Sequence, residues 1–176
     1  DEGTITIDHQ QMHSGLLAKV VSVLNQKPHL FATTIENNIR VGRQDATKDE
    51  INEAIEKAQL TSLIASLPEG LNTHMQEMGH RFSGGERQRI AFARVLIQDT
   101  PIVLVDEATI GLDPITERKL IETIFSAAQD KTILWVTHHL AGVEHMDRIL
   151  FMEDGKIKMN GSHEELMKTE EHYKRL

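Results

Sequence analysis

An α/β fold built on a parallel sheet is what this sequence predicts, and three observations predict it. Ile102-Val103-Leu104-Val105 is a short β-rich apolar run of the kind that parallel sheets bury on both faces. Helical and strand patterns follow one another around it: Ile90, Ala93, Leu96 and Ile97 recur at helical spacing before it, and an amphipathic helical stretch covers 116–128 after it. The run also ends abruptly in Asp106-Glu107, two carboxylates at the carboxyl end of a buried strand, where open α/β sheets place their ligands.

Each element can be justified in order. Thr4-Ile5-Thr6-Ile7 alternates polar and apolar residues and predicts a half-buried strand, followed by a polar loop over 8–14. Lys19 to Leu24 predicts a second, buried strand that runs into the turn Asn25-Gln26-Lys27-Pro28. From Thr47 to Pro68 the pattern is helical. Thr47 with Glu50 forms a capping box, Ile51, Ala54, Ile55 and Ala58 make one apolar face, and Leu60 to Leu67 is a further short helix stopped by Pro68-Glu69-Gly70. Ser83 followed three residues later by Glu86 is a second capping box, opening a helix that Asp99-Thr100-Pro101 breaks. Lys131 to Val136 predicts another buried strand, ending in Thr137-His138-His139. Arg148–Met152 and Lys156–Met159 flank Glu153-Asp154-Gly155, a three-residue hairpin turn, and Ser162 with Glu165 caps a last short helix.

Composition bounds the rest. A chain of 176 residues suffices for one domain with a core, or a domain and a subdomain. Apolar residues at 39% and charged residues at 26% are ordinary for a globular protein. The net charge of −8 argues against a nucleic-acid surface, which needs a basic stripe. No apolar run approaches the ~18 residues of a membrane span. The first residues show no signal-peptide pattern, and the lack of cysteine fits a cytosolic chain. The ten histidines show no ligand spacing, so a histidine metal site has little support.

Two stretches carry chemistry. Ser83, Gly84 and Gly85 present a hydroxyl and unpaired amides at a helix amino terminus, where orphan N–H groups and the helix dipole favour an anion. A capped helix alone explains Ser83 and Glu86; the two glycines add room for a phosphate to approach the backbone. An acidic turn after a strand does not require two acids on a strand that is otherwise wholly apolar, so Asp106 and Glu107 stand out.

Ser83-Gly84-Gly85-Glu86-Arg87-Gln88, then an apolar strand and Asp106-Glu107-Ala108-Thr109, resembles the ATP-binding cassette (ABC) ATPases: the former their signature motif, the latter their Walker B. The match runs over nearly all of the chain. The resemblance implies a RecA-like P-loop NTPase core with a parallel sheet plus an ABC helical subdomain, the amino-terminal part of the core missing. In that division 1–26 is a core remnant, 27–98 the helical subdomain, and 99–176 the core again. ATP and Mg²⁺ are the implied cofactors. Asp106 and Gln26, the latter as Q-loop glutamine, are the implied Mg²⁺ partners, Asp106 through water. Glu107 is the implied base or water-orienting residue, with Gln26 reaching the attacking water and His138, as switch histidine, reaching the γ-phosphate. Ser83, Gly84, Gly85 and Glu86, the last where the family more often has glutamine, belong to the implied nucleotide-binding set. So does Asp113 in a loop resembling the D-loop, where Ile110 replaces the more usual serine.

The pattern Leu30 to Ile39 resembles the exporter segment that meets a membrane domain, and Glu77 resembles the X-loop glutamate. The implied partners are a second nucleotide-binding domain and a transmembrane domain, at the cytoplasmic face of the cell membrane. Val23–Phe31, Asp113–Arg118 and Thr137–Glu144 are similar to the thiol-reductant (cysteine/glutathione) exporters of cytochrome bd assembly. One expected element is absent: no Gly-x-x-x-x-Gly-Lys-Ser/Thr occurs in the sequence, whose sole Gly-Lys pair is Gly155-Lys156. The chain therefore reads as a fragment or shortened domain. Each lost charge-assisted hydrogen bond is worth roughly 1.5–3 kcal/mol, and micromolar binding totals only about 8 kcal/mol. Alone, the chain is expected to be inactive. Two alternatives remain: a non-catalytic cassette offering only its signature face, and a soluble ABC ATPase acting on DNA. The latter carries long coiled-coil insertions, which the short stretch 27–82 does not have.

Overall fold

A computed structural model describes residues 3–75 and 82–175. The fold is mixed α/β. Ile5–Ile7 (β1) and Gln10–Met12 (β2) pair antiparallel, and Ser14–Val20 (α1) leads into Val21–Asn25 (β3). The predicted polar loop over 8–14 is thus a hairpin turned by Asp8 and His9, both at positive φ (49° and 64°), and Ile5 is exposed rather than half-buried. Helix α1 takes Lys19 and Val20 from the predicted strand, which begins at Val21.

Ile35–Arg40 (α2), Lys48–Lys57 (α3) and Thr61–Ser66 (α4) follow. Thr47 and Glu50 form the expected reciprocal capping box. Gly84–Gln98 (α5) is capped the same way by Ser83 and Glu86, and it stops at Asp99, whose left-handed φ of 53° turns the chain into Ile102–Asp106 (β4). Asp113 then caps Pro114–Ala127 (α6), and Thr132–Val136 (β5) completes the sheet.

β3, β4 and β5 form a parallel sheet in the order β3-β4-β5. Helix α5 is buried nearly all round, with Ile90, Ala91, Phe92, Ala93, Val95 and Ile97 inside, which marks a core helix rather than a surface one. It packs on α2 and α3 and also on β3 and α6. One apolar cluster therefore runs from Ile35, Ile39 and Ile51 through Phe92 to Leu24, Val103 and Val105. The sheet is buried on one face only. Ser22, Leu24, Val103 and Val105 are inside, whereas Val23, Leu134 and Val136 are exposed and Ile102 and Leu104 half-buried. The expectation of strands buried on both faces fails here because an all-apolar run reads the same whether one face is covered or two.

The chain divides into two compact units, Asp1–Val136 and Thr137–Leu176. In the second, Ile149–Glu153 (β6) and Lys156–Gly161 (β7) make a hairpin, and Ser162 with Glu165 caps His163–Thr169 (α7). Glu153 pairs with Lys156, so the turn holds two residues rather than three: Asp154 and Gly155, both at positive φ. Met159, Leu166 and Tyr173 form this unit's core. Among the described residues, no helix is long and apolar enough to cross a membrane.

Candidate functional site

The register of the parallel sheet lines up three chain exits at one edge. Asn25 pairs with Asp106, and Asp106 with Val136. Gln26 and Glu107 are therefore each the first residue beyond the sheet on neighbouring strands. Asp106 is exposed at its strand end and Glu107 half-buried. Glu107 turns the backbone with φ 49°; its N–H donates to the Val136 carbonyl at 2.9 Å, and its carbonyl accepts from Ile110 N at 3.1 Å. That left-handed residue ends the strand alternation at the second acid.

At the start of α5 the Ser83 Oγ accepts from the Glu86 amide at 3.3 Å, while Glu86 Oε2 accepts from the Ser83 amide at 2.7 Å. The box uses those two donors. The amides of Gly84 and Gly85 occupy the first helical positions, which have no carbonyl a turn behind them within the helix. The glycines also have a packing role that the sequence did not reveal. A Cβ on Gly84 would lie 2.9 Å from Leu112 Cδ2, and one on Gly85 would run into the Thr116 methyl. Asp113 caps α6, its Oδ1 accepting from Ile115 N (3.2 Å) and Thr116 N (3.1 Å). Hydrogen bonding from Thr116, side chain first and amide second, holds the Asp113 carboxyl below its ordinary range.

Of these residues Gln26 and Gly84 line a cavity of about 540 Å³, whose wall also includes Arg87, Gln88, Gly111 and Leu112; Asp106, Glu107, Ser83, Gly85, Glu86 and Asp113 are not in its lining. Gln88 ties two walls together: its amide nitrogen donates to the carbonyls of Gln26 (2.7 Å) and Asn25 (3.2 Å). Nothing in the sequence singles it out, since Glu86, Arg87 and Arg89 beside it are polar as well.

A second network binds the segment after Gln26 to α5. Asn38 is fully buried; its Oδ1 accepts from Phe31 N (2.8 Å) and Arg94 Nη2 (3.1 Å), and its amide nitrogen donates to the carbonyls of Phe31 and Thr34. Arg94 also donates to the carbonyls of Asn38 (2.9 Å) and His29 (2.8 Å) and lies over the Phe31 ring. Burial lowers the Arg94 guanidinium below its ordinary value.

His138 lies in the second unit, two residues beyond β5, in a turn where the His139 amide donates to Thr137 Oγ1 at 3.0 Å. Glu77 lies outside the described residues. No group of three or more His, Cys, Asp or Glu side chains gathers to hold a metal among the described residues.

Residues 1–110 match the family model described as ABC transporter. The chain is 54% identical over its whole length to the glutathione/L-cysteine transport system ATP-binding/permease protein CydD of Bacillus subtilis, covering 31% of that protein. It is 38% identical over 99% of its length to the ATP-dependent lipid A-core flippase of Desulfotalea psychrophila, again covering 31% of the relative. Its fold is similar to a bacterial Atm1-family ABC exporter solved with ATP bound, with TM-score 0.89 and 36% identity over 99% of this chain and 31% of that one. The chain thus spans about a third of the length of these relatives. With the family model covering well over half of the sequence, the chain belongs to the ABC transporter family.

Proposed function

We propose that this chain is part of the ATP-hydrolysing cassette of an ABC exporter, with residues 1–26 and 99–176 in its ATPase core and 27–98 in its helical subdomain. The observation that carries this reading is the pairing of Asn25 with Asp106, which sets Gln26 beside the acid pair Asp106-Glu107 at one sheet edge. Magnesium fits this donor set. It takes one or two carboxylates and leaves its other positions to water and phosphate oxygens, so no cluster of three acids is required. Asp106 and the amide oxygen of Gln26 would hold the ion, which when bound supplies charge neutralisation at the β- and γ-phosphates. Glu107 orients or deprotonates the attacking water, and His138 contacts the γ-phosphate. Ser83, Gly84 and Gly85 receive the nucleotide of a second cassette, head to tail, with Glu86 and Asp113 shaping that face.

Exported cysteine or glutathione is the proposed cargo, on the likeness to the B. subtilis protein. The proposed partners are a second nucleotide-binding domain and a transmembrane domain, with the cassette at the cytoplasmic face of the membrane. Since the 176 residues hold no Gly-x-x-x-x-Gly-Lys-Ser/Thr, the chain on its own is expected not to bind MgATP usefully. A fluorescent-nucleotide titration of this chain, and of a form extended upstream to include a phosphate loop, tests the reading. Binding confined to the extended form, with ATP trapped by Glu107→Gln, supports it. Binding by the short chain that disappears in Asp106→Ala shows that the phosphates sit elsewhere.

A further inference from the structure

We propose that Gln88 is a positioning residue for the nucleotide site, fixing the Gln26 turn against the Ser83-capped end of α5. The inference rests on the reading above, in which Gln26 meets the magnesium and the attacking water. Gln88 is only 3% exposed and shares its helix with buried Gly85, Ile90, Ala91 and Phe92. A buried amide is costly there unless it is satisfied, and an apolar side chain of similar volume would suit the surroundings. What the amide does is bridge 62 residues of sequence, donating to two successive carbonyls, Asn25 and Gln26. Only the nitrogen end of the amide can face two carbonyls, which fixes its orientation. Its Oε1 is buried without a partner among the described residues, so the group is half-satisfied and poor value for stability alone.

The placement explains the choice. Asn25 is the last residue of β3 and pairs with Asp106, so the Gln88 amide grips the chain where it leaves the sheet beside the acid. Gln88 stands one helical turn beyond Gly84, and both residues line the same cavity. The turn that carries Gln26 and the helix end that carries Ser83 are thereby held at one spacing. A residue that only filled the core needs neither hydrogen bond.

The test uses the full-length transporter that carries this cassette, assayed for MgATP hydrolysis. Gln88→Met keeps the side-chain length and removes the donor. It is expected to lower kcat about tenfold, a loss of the size that slight misplacement of a reacting group brings. KM for MgATP is expected to stay within about twofold. In a Gln26→Ala background the same change should cost little more, because Gln88 acts through Gln26. Ile97→Val, in the same helix and away from the turn, controls for lost stability. If Gln88→Met loses activity only in step with folded protein, as Ile97→Val does, or costs as much in the Gln26→Ala background as in the wild type, the inference is overturned. A wild-type transporter without MgATP hydrolysis overturns the functional reading and this inference with it, so the two failures are told apart.

Discussion

Gly85 of α5 and Thr116 of α6 are packed so closely that any β-carbon on Gly85 meets the Thr116 methyl. Two physical reasons therefore compete for this glycine: contact between helices, and close approach of a phosphate to the backbone. They separate by experiment. Gly85→Ala should destabilise the chain by about 1–3 kcal/mol through overpacking. Thr116→Ser, which removes the methyl, should return most of that loss in urea denaturation of the double variant. If stability returns but ATPase activity of the transporter does not, the glycine also serves the nucleotide.

Arg94 and Asn38 form the other cross-link, joining α5 to the segment 29–38 through bonds to Asn38 Oδ1 and to the carbonyls of Asn38 and His29. Arg94→Met keeps much of the packing but removes the donor to three acceptors, of which Asn38 Oδ1 keeps its bond from Phe31 N. A cost of about 2–4 kcal/mol is expected, since removing one partner leaves buried groups unsatisfied. A double-mutant cycle with Asn38→Ala should show coupling of about 0.5–3 kcal/mol. Additive losses would mean that the two residues act independently.

Local signals were legible in the sequence and distant ones were not. The boxes Thr47/Glu50, Ser83/Glu86 and Ser162/Glu165 stand where spacing placed them, because a cap needs only residues three apart. The strand ending in Asp106 was equally plain. Helix α1 was not distinguished because it is only seven residues long and its Leu16, Leu17 and Val20 merge with the apolar run that continues into the strand Val21–Asn25. The hairpin at Asp8-His9 lacks the glycine that usually announces such a turn. Gln88 and Arg94 were invisible as links because their partners lie 56 to 65 residues away. The packing reason for Gly84 and Gly85 depends on Leu112 and Thr116, which the fold alone brings near.

Acid should loosen the helix starts. Hydrogen bonds lower the carboxyls of Glu50, Asp113 and Glu165 below their ordinary values of 4.5, 3.8 and 4.5. Each folded-state value lies below the unfolded one, so each contribution is complete above the unfolded value and drains away as pH falls through the folded value. Denaturation midpoints should therefore hold steady near neutrality and fall below about pH 4. Asp113→Asn keeps a capping oxygen and removes the titration. Its midpoint at neutral pH should match the wild type closely, with a shallower acid limb. An unchanged acid limb would remove Asp113 from this account.

Glu107 combines a left-handed backbone, φ 49°, with the candidate catalytic carboxylate. A side chain in that conformation costs roughly 1–2 kcal/mol, which glycine escapes. The fold needs the turn, because the Glu107 amide reaches the Val136 carbonyl and its carbonyl receives the Ile110 amide. Those two hydrogen bonds are made by the backbone alone. On backbone terms alone, Glu107→Gly should leave stability equal or raise it by up to about 1 kcal/mol, read as a shift in urea midpoint. Glu107→Gln keeps the strained backbone and should stay near wild type in stability. In the transporter both variants should lose ATP hydrolysis, because neither offers a base to the water. Stability gained where activity is lost marks a residue kept for chemistry. A Glu107→Gly protein clearly less stable than wild type would show instead that the side chain holds the fold.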